Sequence, residues 1–112
     1  MRVAVLSDVH SNLVALDAVL AALGSVDAVW VLGDIVGYGP EPDAVAERLA
    51  TIGAVAVAGN HDAAAVGAAD TRWFNPDARA AIEWTQRRIS AATRAWLAEL
   101  PTVATEPPAT LV

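Results

Sequence analysis

Hydrophobic positions in this chain fall into two rhythms. Val3 to Leu6 is apolar without alternation, as in a strand buried on both faces of a parallel sheet. Leu13, Leu16, Leu20 and Leu23 then recur at helical spacing, with Asp17 off that face and Gly24 as the stop. Ala28 to Leu32 repeats the strand pattern. After a loop rich in Gly and Pro, Pro42 opens a helix with Val45, Leu49 and Ile52 inward, and Gly53 closes it. Ala54 to Ala58 reads as a third strand. Strands alternating with helices in this way predict right-handed βαβ units, hence an α/β fold built on a parallel β-α-β-α-β unit.

Beyond Asp62 the rhythm changes. Asn75 to Ile89 reads as a helix with Asn75 as N-cap and Ala78, Ile82 and Ile89 inward. Ser90 caps another, with Trp96, Leu97 and Leu100 inward and Pro101 as the stop. Trp84 and Trp96 read as core, and Arg87 and Arg88 as a solvated face. These later helices are expected to cover part of the sheet face that the βα helices leave open. Thr102 to Val112 has little pattern and ends in Thr110-Leu111-Val112, which resembles a strand cut short. The expected organisation is one domain over 1–112, with βα units over 1–62, helices over 63–101 and the start of a further half over 102–112.

The polar residues add a second pattern. Val5-Leu6-Ser7-Asp8, Val31-Leu32-Gly33-Asp34 and Val57-Ala58-Gly59-Asn60 recur at intervals of 26 residues. Each ends an apolar run in a small residue followed by an oxygen-bearing one. Parallel strands place these ends along one sheet edge, where open α/β sheets bind ligands.

Composition narrows the chemistry. With 55 % hydrophobic residues, 112 residues can bury one core. A net charge of −6 opposes nucleic acid and anionic lipid, although bound cations can reverse this locally. There is no cysteine, so disulfides, thiolate metal sites and a cysteine nucleophile are excluded. No apolar run reaches the roughly 18 residues of a membrane helix. The opening run turns polar at Ser7-Asp8, too soon for a signal peptide, so a cytoplasmic location is expected. The two histidines, His10 and His61, both lie at the predicted strand ends.

Those ends present Asp8-Val9-His10, Gly33-Asp34 and Gly59-Asn60-His61-Asp62. Carboxylate, imidazole and amide oxygen together suit a borderline or hard divalent cation. Each piece alone has a plainer reading. Asp8 or Asn12 would cap the first helix, Asp34 would stabilise its own turn, and Gly-Asn-His-Asp would lead into a helix cap. Their joint occurrence at matching strand ends favours a metal site. Trp73 and Phe74 read as a packed pair in a connecting loop, with a cleft wall or base-stacking platform as the alternative. Tyr38 is a candidate lining residue of the cleft.

Asp8-Val9-His10, Gly33-Asp34-Ile35-Val36-Gly37 and Gly59-Asn60-His61-Asp62 together resemble the first three signature motifs of the calcineurin-like metallophosphoesterases. The resemblance implies two packed β-sheets flanked by helices in four layers, of which this chain supplies one sheet. It also implies two divalent ions, manganese first, with iron, zinc or nickel as alternatives. Asp8 and His10 would bind the first ion, Asp34 would bridge, and Asn60 would bind the second. His61 would protonate the leaving oxygen or stabilise the transition state. The implied activity is hydrolysis of a small phosphoester through a dinuclear centre.

Two departures shape the expectation. In the protein Ser/Thr phosphatases of this superfamily the middle motif reads Gly-Asp-x-Val-Asp-Arg-Gly, and here Gly37 and Tyr38 stand at the Asp and Arg positions. This shifts the resemblance to the small bacterial and archaeal phosphodiesterases, with Asp62 as the residue that would orient His61. The family also takes further metal-binding histidines from a C-terminal half, and no histidine follows His61. The expectation is therefore a truncated chain that self-associates or pairs with that half. The rival reading is an inactive metal- or phosphate-binding fragment that acts through a partner.

Overall fold

Strands β1 (Val3–Leu6), β2 (Ala28–Val31) and β3 (Val55–Ala56) form a parallel sheet in that order, in a computed structural model that describes residues 1–112. Val5, Trp30 and Val55 lie in one row across the sheet, and Leu6, Val31 and Ala56 in the next. Successive rows face opposite sides. The expected third strand over 54–58 is paired only at Val55 and Ala56. Val57 still donates to the Val31 carbonyl at 3.0 Å, but the Ala58 N–H turns away to Pro101 O at 2.8 Å.

Helices α1 (Leu13–Leu23) and α2 (Pro42–Thr51) cover the Val31 face. Asn12 caps α1 by accepting the Ala15 N–H at 3.0 Å, and Pro42 opens α2. Leu16, Val45 and Leu49 meet Val31, Ile35, Val36 and Ala56 in the main core. Ile52 follows the last turn of α2 and is exposed, not inward.

The chain then forms a short helix that the sequence offered only through the helix-cap alternative for Gly-Asn-His-Asp, α3 (Asn60–Ala65). A single 3-10 turn at Thr71–Trp73 leads to α4 (Pro76–Arg88) and α5 (Ala91–Glu99). Asn75 and Ser90 cap α4 and α5 as expected, accepting the N–H groups of Ala78 and Thr93. These helices do not cover the second sheet face. Ala65 of α3, Ile89 and Leu97 join the same core as α1 and α2, and α4 packs on α3. Trp96 packs at the edge of that core. Trp84 is half-buried, with the Arg88 guanidinium 5.8 Å over its ring, and belongs to neither core cluster.

The second face is covered from the C-terminal segment. Instead of one interrupted strand, residues 104–111 form an antiparallel hairpin of β4 (Ala104–Glu106) and β5 (Ala109–Leu111). Leu111 seals a small cluster with Trp30 and Val57, leaving Val5 at the sheet edge 55 % exposed. No helix is long and apolar enough to cross a membrane.

Candidate metal centre

The sheet delivers three loops to one edge, and main-chain hydrogen bonds fasten the first to the second. Asp8 N donates to Gly33 O at 3.2 Å, His10 N to Asp34 O at 3.0 Å and Ser11 N to Ile35 O at 2.8 Å. Five non-glycine residues have positive φ, and all lie in these turns: Asp8 (58°), His10 (48°), Ser11 (57°), Asp34 (54°) and Tyr38 (58°). Such conformations cost roughly 1–3 kcal/mol each and persist where the surroundings over-determine them. Their confinement to these turns concentrates the strained backbone at the strand ends.

Asp8, His10 and Asp34 come together as the sequence predicts, with potential ligand atoms within 4.8 Å of one another. His10 Nδ1 lies 3.0 Å from Val36 O. The carbonyl can only accept, so Nδ1 carries the proton and Nε2 keeps its lone pair for a cation. That Nε2 lies 3.4 Å from Asp8 Oδ1. The Ser7 hydroxyl holds the other Asp8 oxygen at 2.5 Å. Asp34 accepts the His61 N–H at 3.1 Å, so it links two loops rather than stabilising its own turn. Asn60 is exposed at the first position of α3, next to Gly59. A side chain on Gly59 would run into the Asp34 carboxylate. Two carboxylates and one prepared imidazole fit a divalent cation.

His61 is buried at 7 % exposure among rings. Its centroid lies 4.8 Å from His10, 5.0 Å from Tyr38 and 5.0 Å from Phe74. Burial lowers its pKa, as does His10, while Asp34 and Asp8 oppose the shift. Its Nδ1 is buried without a hydrogen-bond partner.

Asp62 does not orient His61, because both of its oxygens are taken by the backbone. Oδ1 accepts the Ile35 and Val36 N–H groups at 2.9 and 3.0 Å, and Oδ2 accepts Gly59 N–H at 2.9 Å. Burial raises its pKa, and these three donors offset part of that rise. The helix-cap reading of Gly-Asn-His-Asp therefore holds for Asp62. Its ties to Ile35 and Val36 span 27 and 26 residues, and no local pattern signals them.

Tyr38 and Phe74 line the site as ring neighbours of His61, whereas Trp73 is 88 % exposed and does not pack. The contact that sequence reasoning missed is Gly37, at φ +89°, where a Cβ would lie 2.5 Å from His61 Nδ1. Its place in the middle motif was the available signal.

The ends of β1 and β2 supply the Asp8, His10 and Asp34 cluster, and the segment after β3 brings His61 beside it. The chain matches the calcineurin-like phosphoesterase family over residues 1–109 and belongs to it. It is 38 % identical over 106 residues to an uncharacterized protein of Methanocaldococcus jannaschii, covering 93 % of this chain and 44 % of that one. The crystal structure of a metallophosphoesterase from Sphaerobacter thermophilus superposes with a TM-score of 0.83 at 44 % identity, over 98 % of this chain and 45 % of that one. A candidate diadenosine tetraphosphatase superposes with a TM-score of 0.75 at 25 % identity, over 91 % and 44 % respectively. The chain thus spans a little under half the length of each relative.

Proposed function

We propose that this chain carries the first half of a metal-dependent phosphoesterase site that cleaves phosphodiesters in preference to phosphoproteins. The convergence of Asp8, His10 and Asp34, with His10 Nδ1 turned to Val36 O, carries this reading. Asp8 and His10 would hold one divalent ion, Asp34 would be shared with a second, and Asn60 would contribute to that second site. Manganese is the first choice, ahead of iron, zinc and nickel. Bound ions there supply Lewis-acid polarisation of the phosphoryl group and lower the pKa of water.

The chain's own residues do the remaining work. The Asp8 side chain is 62 % exposed, so a cation held there would stay open to solvent. The Asp34 carboxylate and the His61 N–H fix the spacing between the second and third loops. His61 faces the reacting phosphoryl group. The absence of an arginine at position 38 disfavours phosphoprotein, since no guanidinium there grips phosphate bidentately. The likeness to a candidate diadenosine tetraphosphatase makes dinucleoside polyphosphates a reasonable second substrate class.

The test is manganese-dependent cleavage of a chromogenic phosphodiester by the purified chain, beside Asp34→Asn. Turnover that requires manganese and is lost in the variant supports the reading. Manganese binding without turnover favours the rival, a non-catalytic metal-binding unit that needs a partner.

A further inference from the structure

The proposed site leaves open whether His61 gives up a proton or only donates a hydrogen bond, and the surroundings of its ring bear on that choice. A neutral imidazole has one N–H and one lone pair, and the partner of each nitrogen decides which is which. Nδ1 has no partner and is sealed from solvent. No protein hydrogen bond reaches Nε2 either, yet Nε2 is not among the sealed atoms, so Nε2 is the nitrogen open to the site.

What faces Nδ1 is Gly37. A Cβ built there would lie 2.5 Å from Nδ1, so the Cα hydrogen on that bond lies against the nitrogen. A lone pair tolerates a Cα–H in front of it as a weak contact. An N–H would collide with that hydrogen, and since Nδ1 has no strong partner in either form, this steric contact is what separates the tautomers. Asp62, the nearest carboxylate in sequence, is fully engaged by three backbone donors. Orientation falls instead to packing: Tyr38 tilts over the ring at 39°, while Phe74 and His10 meet it edge-on at 74° and 71°.

We infer that His61 is held by Gly37, Tyr38 and Phe74 as the Nε2–H tautomer and acts as a hydrogen-bond donor to a phosphoryl oxygen, not as a proton donor to the leaving group. A neutral imidazole that lost its Nε2 proton would become an imidazolate, so the proton stays on His61 throughout. The catalytic half of this statement rests on the proposed phosphoesterase function, whereas the tautomer does not.

Two measurements test it. Long-range proton–nitrogen NMR of the histidines, assigned with His61→Gln, distinguishes a protonated from a bare ring nitrogen without substrate or turnover. The expected spectrum shows His61 Nε2 protonated and Nδ1 bare in the neutral ring, and a protonated Nδ1 overturns the inference whatever the enzyme does. Kinetics then separate the two roles. Losing a single preorganised donor costs about 10²–10³-fold in kcat. His61→Ala should show a loss of that size, equal for phosphodiesters with good and poor leaving groups. His61→Gln, whose amide N–H replaces Nε2–H, should recover most of it at unchanged KM. A His61→Gln variant as slow as His61→Ala, or a loss that grows with poorer leaving groups, overturns the donor role.

Discussion

The Asp62 carboxylate accepts the main-chain N–H of Val36 at 3.0 Å, tying the first turn of α3 to the loop that carries the centre of the site. With its bonds to Ile35 and Gly59, it sets the second and third loops relative to each other. Asp62→Asn keeps the shape but offers an NH₂ group where acceptors are required. We expect a loss of about 1.5–3 kcal/mol, the range for hydrogen bonds to a charged group. Chemical denaturation measures it, and a variant within experimental error of the wild type would show the strut to be dispensable.

Metal affinity should depend most on Asp34. Removing a residue that only orients a ligand typically costs about 10–100-fold in affinity. Asp34→Asn should exceed that for Mn²⁺, because the proposed bridging carboxylate would serve both ions. Calorimetry that returns equal affinity for the variant and the wild type would end the bridging assignment.

Gly37→Ala should perturb His61 directly. The left-handed backbone costs a residue with a Cβ about 1–2 kcal/mol. The new methyl group also meets the imidazole at 2.5 Å. The expected result is a lower Tm with shifted His61 ring resonances and less change at His10. Unshifted His61 resonances would mean that the ring does not lean on Gly37.

Two carboxylates should respond to pH in opposite senses. Burial works against ionised Asp43, but the Ser90 N–H, with Thr93, the Ser90 hydroxyl and Arg88 assisting, brings its pKa below the ordinary 3.8. Its contribution is therefore present above pH 3.8 and lost as pH falls through the lowered value. Asp62 is raised above 3.8 by burial, so its contribution declines as pH rises through the window just above 3.8. Thermal melts from neutral to acid pH should show a shallower acid loss in Asp43→Asn than in the wild type. Superimposable profiles would remove Asp43 from the account.

Self-association should begin at the uncovered part of the sheet. Val5 is 55 % exposed on edge strand β1, and Val14 and Val19 of α1 are 77 % and 42 % exposed. Unpaired edges template pairing with another chain, and an inward lysine is a natural defence. The chain should grow in apparent mass with concentration and bind ANS, and Val5→Lys should reduce both. A compact 11.6 kDa species at all concentrations, with a cooperative melt and no ANS binding, would count against this.

The parallel unit was legible because its signals are local. Periods of apolar residues, Asn12, Asn75 and Ser90 as caps, and Pro42 at a first turn each act within a few residues. The Asp8, His10 and Asp34 cluster was legible because strand ends in a parallel sheet must share an edge. Helix α3 showed only through the helix-cap alternative because its six residues include a buried His and Asp and show no apolar period. The hairpin escaped because Pro107 and Pro108 interrupt the pattern between its two three-residue strands. The covering of the second face depended on that hairpin, so it was misplaced too.

The loop-to-loop ladder made by the amides of Asp8, His10 and Ser11 has a consequence for how this edge moves. These amides donate to carbonyls of the 33–35 segment, whose own N–H groups are held at Ile35 by Asp62. No single loop can swing open without breaking its neighbour's bonds. In deuterated solvent the three amides should therefore exchange as one group, at the pace of the Val31 and Leu49 core beneath them. A cavity introduced in that core would then surface at the edge as a shorter-lived site with unaltered geometry.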